Sequence, residues 1–253
     1  QTCALPIYKE KCCGCTACVH ICPTKCIEMK EDKEGFLYPA TDNEKCINCR
    51  KCEEVCPIDN IINDNTETNT FVGYNKDEII RKNSSSGGIF SLVAEWVLSQ
   101  NGVVFGAAFD ENFEVCHIAV ETKEELSKLC GSKYVQSRLD NTYPFVKKYL
   151  ENDRKVLFTG TGCQVAGLKK FLNKDYANLY TVDVLCHGVP SPRIWKMYLD
   201  DKKKQYNATI DKIEFRNKAF GWKNFSVNIE FSDNQKYCIK FYEDKFMQMF
   251  LGN

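Results

Sequence analysis

"CCGCTACVHICP" at 12–23 and "CINCRKCEEVCP" at 46–57 state one cysteine pattern twice, 34 residues apart. Each run reads C-x-x-C-x-x-C-x-x-x-C-P, with Cys12, Cys15, Cys18 and Cys22 in the first and Cys46, Cys49, Cys52 and Cys56 in the second. Three thiolates on a tight loop can hold three irons of a cubane, while the fourth iron takes the last cysteine of the other run. The expected ligand sets are therefore Cys12, Cys15, Cys18 and Cys56 for one [4Fe-4S] cluster, and Cys46, Cys49, Cys52 and Cys22 for a second. Zinc knuckles also use paired cysteines, but a four-cysteine rhythm closed by proline and repeated intact favours iron and sulfide. Cys13 and Cys26 fall outside the rhythm and read as small buried side chains.

Working outward, the two copies predict a module over residues 1–62 whose halves bury a core together that neither could bury alone. The polar run "DNIINDNTETNT" at 59–70 reads as a linker or irregular surface segment, with 63–80 separating the modules. Residues 81–253 then form the larger unit. The chain of 253 residues has room for both, and its 34 basic and 34 acidic side chains cancel, so no whole-chain field draws it to nucleic acid. Of sixteen cysteines, eight fall in two C-x-x-C repeats and the rest are scattered, a pattern that suits a reducing compartment, here the cytoplasm, better than a secreted disulfide scaffold. No apolar run reaches the roughly 18 residues that would suggest a direct membrane span. The chain opens on Gln1, and its last helical pattern breaks off at "FLGN", so truncation at the C-terminus is expected.

The larger unit alternates strand, turn and helix. "NSSSGG" at 83–88 offers caps for a buried helix over "IFSLVAEWVLSQ". "VVFGAAF" at 103–109 and "FEVCHIAV" at 113–120 predict a hairpin turning at Glu111 and Asn112. A capping box at Thr122 and Glu125 and a helix over 142–151 follow, with Pro144 in the first turn. "KVLFTG" predicts a strand, "VAGLKKFL" a helix, and "NLYTVDVLC" another strand. Ser191 and Pro192 start a helix running to about 202. Three antiparallel strands near 209–216, 224–231 and 236–242 and a helix from 243 complete an α+β chain with a mixed α/β core.

Two stretches of this unit could cradle an anion, "RKNSSSGG" at 81–88 and "KVLFTGTGCQVAGL" at 155–168. Backbone N–H groups at a glycine turn or helix start bind phosphate, although neither stretch is a Walker loop or a Rossmann fingerprint. His187, beside Cys186, has accessible neutral and charged forms and is the candidate proton donor or ligand-orienting group. His20 and His117 have weaker claims. The aromatic run at 215–231 lacks an accompanying basic groove and reads as sheet core or an inter-domain contact.

Taken together, "RKNSSSGGIFSLVAEWVL", "GSKYVQS" at 131–137, "FTGTGCQVAGL" at 158–168 and "VDVLCHGVPSP" at 182–192 resemble the beta-subunit family of coenzyme F-420 hydrogenases and dehydrogenases, ferredoxin-fused bacterial-type members included. The resemblance implies a flavin, FAD, in a flavin-type α/β domain. It also implies a pocket to which Ser85, Ser86, Gly87, Gly88, Lys133 and the Thr159, Gly160, Thr161 turn contribute. Relatives use cysteines at Cys163 and Cys186, with further downstream cysteines, for another [4Fe-4S] cluster. Gly162 stands where the family has proline, which loosens that turn.

The expected function is an iron-sulfur flavoprotein oxidoreductase, or a subunit of such a complex. It would transfer electrons between a ferredoxin or another redox protein and an organic redox substrate or deazaflavin coenzyme. The alternative is a non-enzymatic polyferredoxin-type adapter.

Overall fold

The computed structural model describes residues 9–61 and 68–252. In the first part, α1 (Ala17–Ile21) leads to a hairpin of β1 (Ile27–Glu31) and β2 (Leu37–Thr41), and α2 (Lys51–Glu54) carries the second cysteine run. The hairpin was not expected from the sequence. Its register sets Met29 opposite Pro39, and the proline is tolerated because this sheet has only two strands. The stretch read as a linker lies partly outside the described residues, at 62–67. The rest of it runs irregularly from 68 and enters α3 (Glu78–Asn83), where Asp77 accepts bonds from the Ile79 and Ile80 amides.

The central sheet has the order β4-β3-β5-β6, made by β3 (Val103–Phe109), β4 (Val115–Val120), β5 (Val156–Thr161) and β6 (Leu179–Val184). β3, β5 and β6 are parallel, and β4 returns antiparallel from β3 as the predicted hairpin. The period-two alternation of strand side chains sends residues to two separate cores. Val103, Phe105, Val156 and Phe158 face α5 (Thr142–Glu151) and α6 (Gly162–Leu172). Val104, Ala108 and Leu157 face α4 (Ile89–Ser99) on the opposite side.

Beyond β6, α7 (Pro192–Tyr206) begins as expected, with the Ser191 hydroxyl accepting from the Ile194 amide and proline in the first turn, and it runs a turn longer than the pattern suggested. β7 (Ile210–Asn217), β8 (Ser226–Phe231) and β9 (Lys236–Lys240) form an antiparallel sheet that packs its apolar face on α7 and α8 (Lys245–Leu251). Trp195, Phe215 and Phe246 fill that third core, so the aromatic run at 215–231 contributes sheet core as read. Asp244 is fully buried there; its carboxylate accepts from the Tyr198 and Tyr237 hydroxyls (2.7 and 2.8 Å) and from the Met247 amide at the start of α8.

One expectation about helix caps fails. The serines before α4 do not cap it. Gly88 occupies the N-cap with φ +77°, a left-handed conformation open to glycine, and no side chain completes it. Ser84 instead donates to the Ile80 carbonyl of α3, and Ser85 accepts from the Ser132 amide.

Candidate iron-sulfur and cofactor site

The cysteine repeat is also a backbone repeat. Gly14 and Asn48 are left-handed (φ +68° and +54°), as are Thr16 and Arg50 (φ +62° and +59°), each pair separated by the sequence offset. The turn at each pair folds an amide back onto the leading thiol, with Gly14 N–H donating to Cys12 Sγ (3.5 Å) and Asn48 N–H to Cys46 Sγ (3.4 Å). Such N–H groups stabilise negative charge on sulfur. A β-branched residue at positive φ is costly. Thr16 bears that cost, and its hydroxyl is buried without a partner.

A cavity of ≈20 Å³ is lined by five cysteines, Cys12, Cys13, Cys15, Cys18 and Cys56, together with Thr16 and Met29 among others. The structure thus brings three cysteines of the first run beside the last cysteine of the second, with Cys13 in the same lining. Around the other set, Cys22 Sγ lies 3.6 Å from the Thr24 hydroxyl and 3.4 Å from Cys26 Sγ. Cys49 is exposed. Among the described residues no three His, Cys, Asp or Glu side chains converge on one metal ion. A cubane does not ask for that convergence, since each of its irons takes its own cysteine.

This cysteine module docks directly on the α/β unit. Cys15, Ala17 and Val55 belong to the same apolar core as Tyr143, Val165 and Leu168. His20 donates from Nε2 to the Asp140 carbonyl (2.7 Å) and presents its ring edge-on to Tyr143 and Phe171. The Glu34 carbonyl accepts from the Ser191 hydroxyl and the Arg193 amide, fixing the β1–β2 turn to the start of α7. Cys13, outside the repeat, packs as a partly buried side chain beside the apolar core shared with the α/β unit. Between the module, the start of β4, the 135–141 segment and α7 lies a cleft of ≈730 Å³ that includes Gly14, Arg138 and Arg193.

The residues named for an organic cofactor separate into engaged and open groups. Gly87 and Gly88 are needed by protein packing, because a Cβ would meet Gly73 O at 3.1 Å in the first case and Asn75 Cβ at 3.1 Å in the second. Buried Asn75 clamps this loop through its amide to Gly87 O and its side chain to Gly88 O, a role that nothing in the local sequence pattern signals. Ser86 is exposed, and the Trp222 indole reaches the Ser85 carbonyl. Thr159 is buried in the sheet, donating to Phe105 O, and Gly160 lies against Gln164. The Thr161 amide donates to Gln164 Oε1 (2.9 Å), and its hydroxyl meets Cys163 Sγ at 3.1 Å.

Lys133 is the open group. Its ammonium donates to the carbonyls of Leu129, Cys130 and Gly131, and among the described residues no carboxylate pairs with it. Burial pushes its pKa down to about 8. Close by, His117 is buried and pushed down to about 4, first by loss of water and also by Lys133. Its Nε2 donates to Thr159 O and its Nδ1 accepts from the Ser137 hydroxyl, a neutral tautomer fixed by two bonds. His187 is exposed on the segment after β6, edge-on to Phe250 of α8. Cys186 is also exposed, with a long 3.8 Å contact to Gly188 O, and among the described residues no bond joins it to Cys163.

The fold and site define a two-part redox protein, a ferredoxin-like cysteine module fastened to a mixed α/β unit. Residues 11–60 match the family described as "4Fe-4S dicluster domain". Residues 70–142 match the N-terminal part of the family described as "Coenzyme F420 hydrogenase/dehydrogenase, beta subunit", and residues 153–249 match the C-terminal part of the same family. The chain therefore has an F420 hydrogenase/dehydrogenase beta-subunit-like domain architecture with a 4Fe-4S-type domain at its start. Among solved structures it is similar to a chain of the F420-reducing [NiFe] hydrogenase complex from Methanosarcina barkeri (xenon derivatization), at 17% identity and a TM-score of 0.46. The match covers 67% of this chain and 60% of that one, so the chain spans less than two thirds of its relative's length. No curated protein matches it. Among the described residues no helix is long and apolar enough to cross a membrane.

Proposed function

We propose that this chain is the iron-sulfur and flavin subunit of a cytoplasmic oxidoreductase, passing electrons between a ferredoxin or another redox protein and an organic substrate or deazaflavin coenzyme. The observation that carries this reading is the packing of Cys15 against Gly167 on α6. A predicted ligand of the first cluster rests on the same helix whose N-terminus bears the Thr159–Thr161 turn. A cluster held there would hand its electrons to the α/β unit through this apolar contact.

FAD bound there would exchange single electrons on one side and hydride equivalents on the other. The chain's own residues fit such a group at Lys133, whose ammonium has carbonyl partners but no anion. Lys133 would hold a phosphate or the anionic reduced ring. The Thr161 hydroxyl and the first amides of α6 would bind phosphate oxygen, and Ser85 and Ser132 would fix the facing loop. His187 is exposed to an incoming substrate and can carry a proton at its ring nitrogens. Cys163 and Cys186 are proposed to serve a third [4Fe-4S] cluster with ligands from outside the described residues.

Anaerobically purified protein assayed for iron, acid-labile sulfide and released flavin tests the reading. About eight irons per chain with stoichiometric flavin and flavin-dependent turnover support it, and about twelve irons would report the third cluster. Full cluster reduction without retained flavin leaves the polyferredoxin-type adapter. Zinc without sulfide ends both.

A further inference from the structure

The aromatic run at 215–231 divides in two. Phe215, Phe225 and Phe231 lie in the third core, whereas Phe220 and Trp222 stand exposed on the loop between β7 and β8. That loop reaches the turn at 84–88. The Trp222 indole N–H donates to Ser85 O at 3.4 Å, and the Lys218 ammonium donates to Arg81 O at 2.8 Å. Lys218 is thereby gathered with two further cations, and its pKa is held below the ordinary lysine value by burial first and then by Arg216 and Arg81. Arg81 lies over the Tyr74 ring and donates to Asn75 O, while Arg216 lies over the Phe225 ring with its buried Nε unpartnered among the described residues. Among the described residues only one carboxylate pairs with any of the three, the exposed Glu78 at 3.5 Å from Arg81. The whole chain is neutral, so this excess is local. Like charges drawn together cost free energy that a bound anion would offset.

We propose that Arg81, Arg216 and Lys218 bind the diphosphate of a nucleotide ligand whose planar base lies on Trp222. Guanidinium forks match pairs of phosphate oxygens, and an ammonium adds a compact charge beside them. Trp222 is 57% exposed, and its polar N–H is turned to Ser85 O, which leaves much of the ring open to a planar partner. Ser85 also accepts from the Ser132 amide, next to Lys133, and so joins this corner to the proposed flavin pocket. The diphosphate has two sources of the same chemistry, the retained FAD itself or a nucleotide that exchanges with solvent. Only the first of these rests on the flavin reading above.

ADP is the probe, titrated calorimetrically into flavin-free protein. Wild type should bind it, with affinity that falls as salt rises. Lys218→Gln keeps a donor for Arg81 O without the charge and should weaken ADP about 10-fold or more, whereas Lys218→Arg should retain it. Trp222→Ala should weaken ADP and leave inorganic pyrophosphate unmoved. ADP that displaces FAD assigns the corner to the flavin's own diphosphate, and ADP that binds alongside FAD assigns it to an exchanging nucleotide; both support the proposal. Protein that binds ADP but neither FAD nor riboflavin ends the flavin reading and keeps this one. Wild type that does not bind ADP overturns the proposal, as does equal ADP affinity in wild type and K218Q. Where K218Q does not fold, W222A decides, and undiminished ADP binding by that variant refutes the site.

Discussion

Gly167 and Cys15 touch so closely that a Cβ at residue 167 would lie 2.9 Å from Cys15 Cβ and 3.0 Å from its Sγ, with the Tyr143 hydroxyl at 2.8 Å. A glycine inside a helix normally costs about 1 kcal/mol relative to alanine, so here the close approach of the two modules outweighs helix propensity. Tyr143 reinforces the same point by donating to Gln164 O one turn earlier.

Gly167→Ala should therefore destabilise the protein despite its better propensity. Overpacking of this kind costs about 1–3 kcal/mol, and the strain falls on a predicted ligand loop. The expected result is a lower denaturant midpoint together with a perturbed first-cluster EPR signal and an unchanged second one. Wild-type stability with an unaltered first-cluster spectrum would show that the two modules do not meet at this point.

His117 predicts a pH effect whose sign can be worked out. Burial holds its pKa near 4 in the folded chain, against an unfolded value near 6.5. Between those values the unfolded chain binds more protons than the folded one, so stability from this group is complete above pH 6.5 and declines as pH falls toward 4. The slope approaches about 1.4 kcal/mol per pH unit. His117→Gln can keep a donor for Thr159 O and an acceptor for Ser137 without titrating. Urea unfolding of both proteins from pH 7 to 4.5 should show a stability difference that shifts toward H117Q on acidification; a pH-independent difference refutes the assignment.

Gly162 opens α6 with open space around it, since a Cβ there would meet only Asp183 Oδ2 at 3.7 Å. Proline is favoured at the first position of a helix because its missing N–H would be unpaired there. Gly162→Pro should stabilise the protein by about 0.4–1 kcal/mol by restricting the unfolded chain, and Gly162→Ala should show part of that gain. Thermal unfolding checks both, and a loss of stability in the two variants would mean that the turn needs glycine's backbone.

How far the sequence carried these features depends on how local their causes are. Cysteine spacing makes the positions of Cys12, Cys15 and Cys18 legible because a tight loop brings three sulfurs together within seven residues, whereas the approach of Cys56 depends on the second copy 34 residues on. The continuous apolar runs at 103–109 and 156–161 are legible as strands buried on both faces, also a local signal. The cap at Ser191 is equally local. What escaped reading depends on partners far along the chain. The Ser85 hydroxyl looked like a cap but is claimed by Ser132, and Asn75 closes the Gly87–Gly88 loop from a segment without a recognisable pattern. Cys26 is four residues from Cys22, yet only the left-handed Lys25 and the hairpin bring it back, and a spacing rule fitted to the ligands passes over it.

Lys133 gives the sharpest test of the proposed cofactor because its charge works against the folded protein without an anion. Its folded pKa is about 8, against 10.5 for the free side chain, with desolvation as the leading cause. Flavin-free protein should thus gain stability as pH rises from about 8 to 10.5, where the unfolded chain still binds the proton and the folded one does not. Lys133→Met should remove that dependence and leave the flavin-free protein more stable at neutral pH. The same substitution should weaken flavin binding, since a hydrogen bond to a charged group is worth about 1.5–3 kcal/mol, or roughly 10- to 100-fold in Kd. Wild-type affinity should also fall as pH rises above 8, while K133M affinity stays flat. A residue serving only the fold would lose stability on substitution and leave flavin binding unmoved. Measuring both quantities on one variant therefore distinguishes an anion-holding lysine from a structural one.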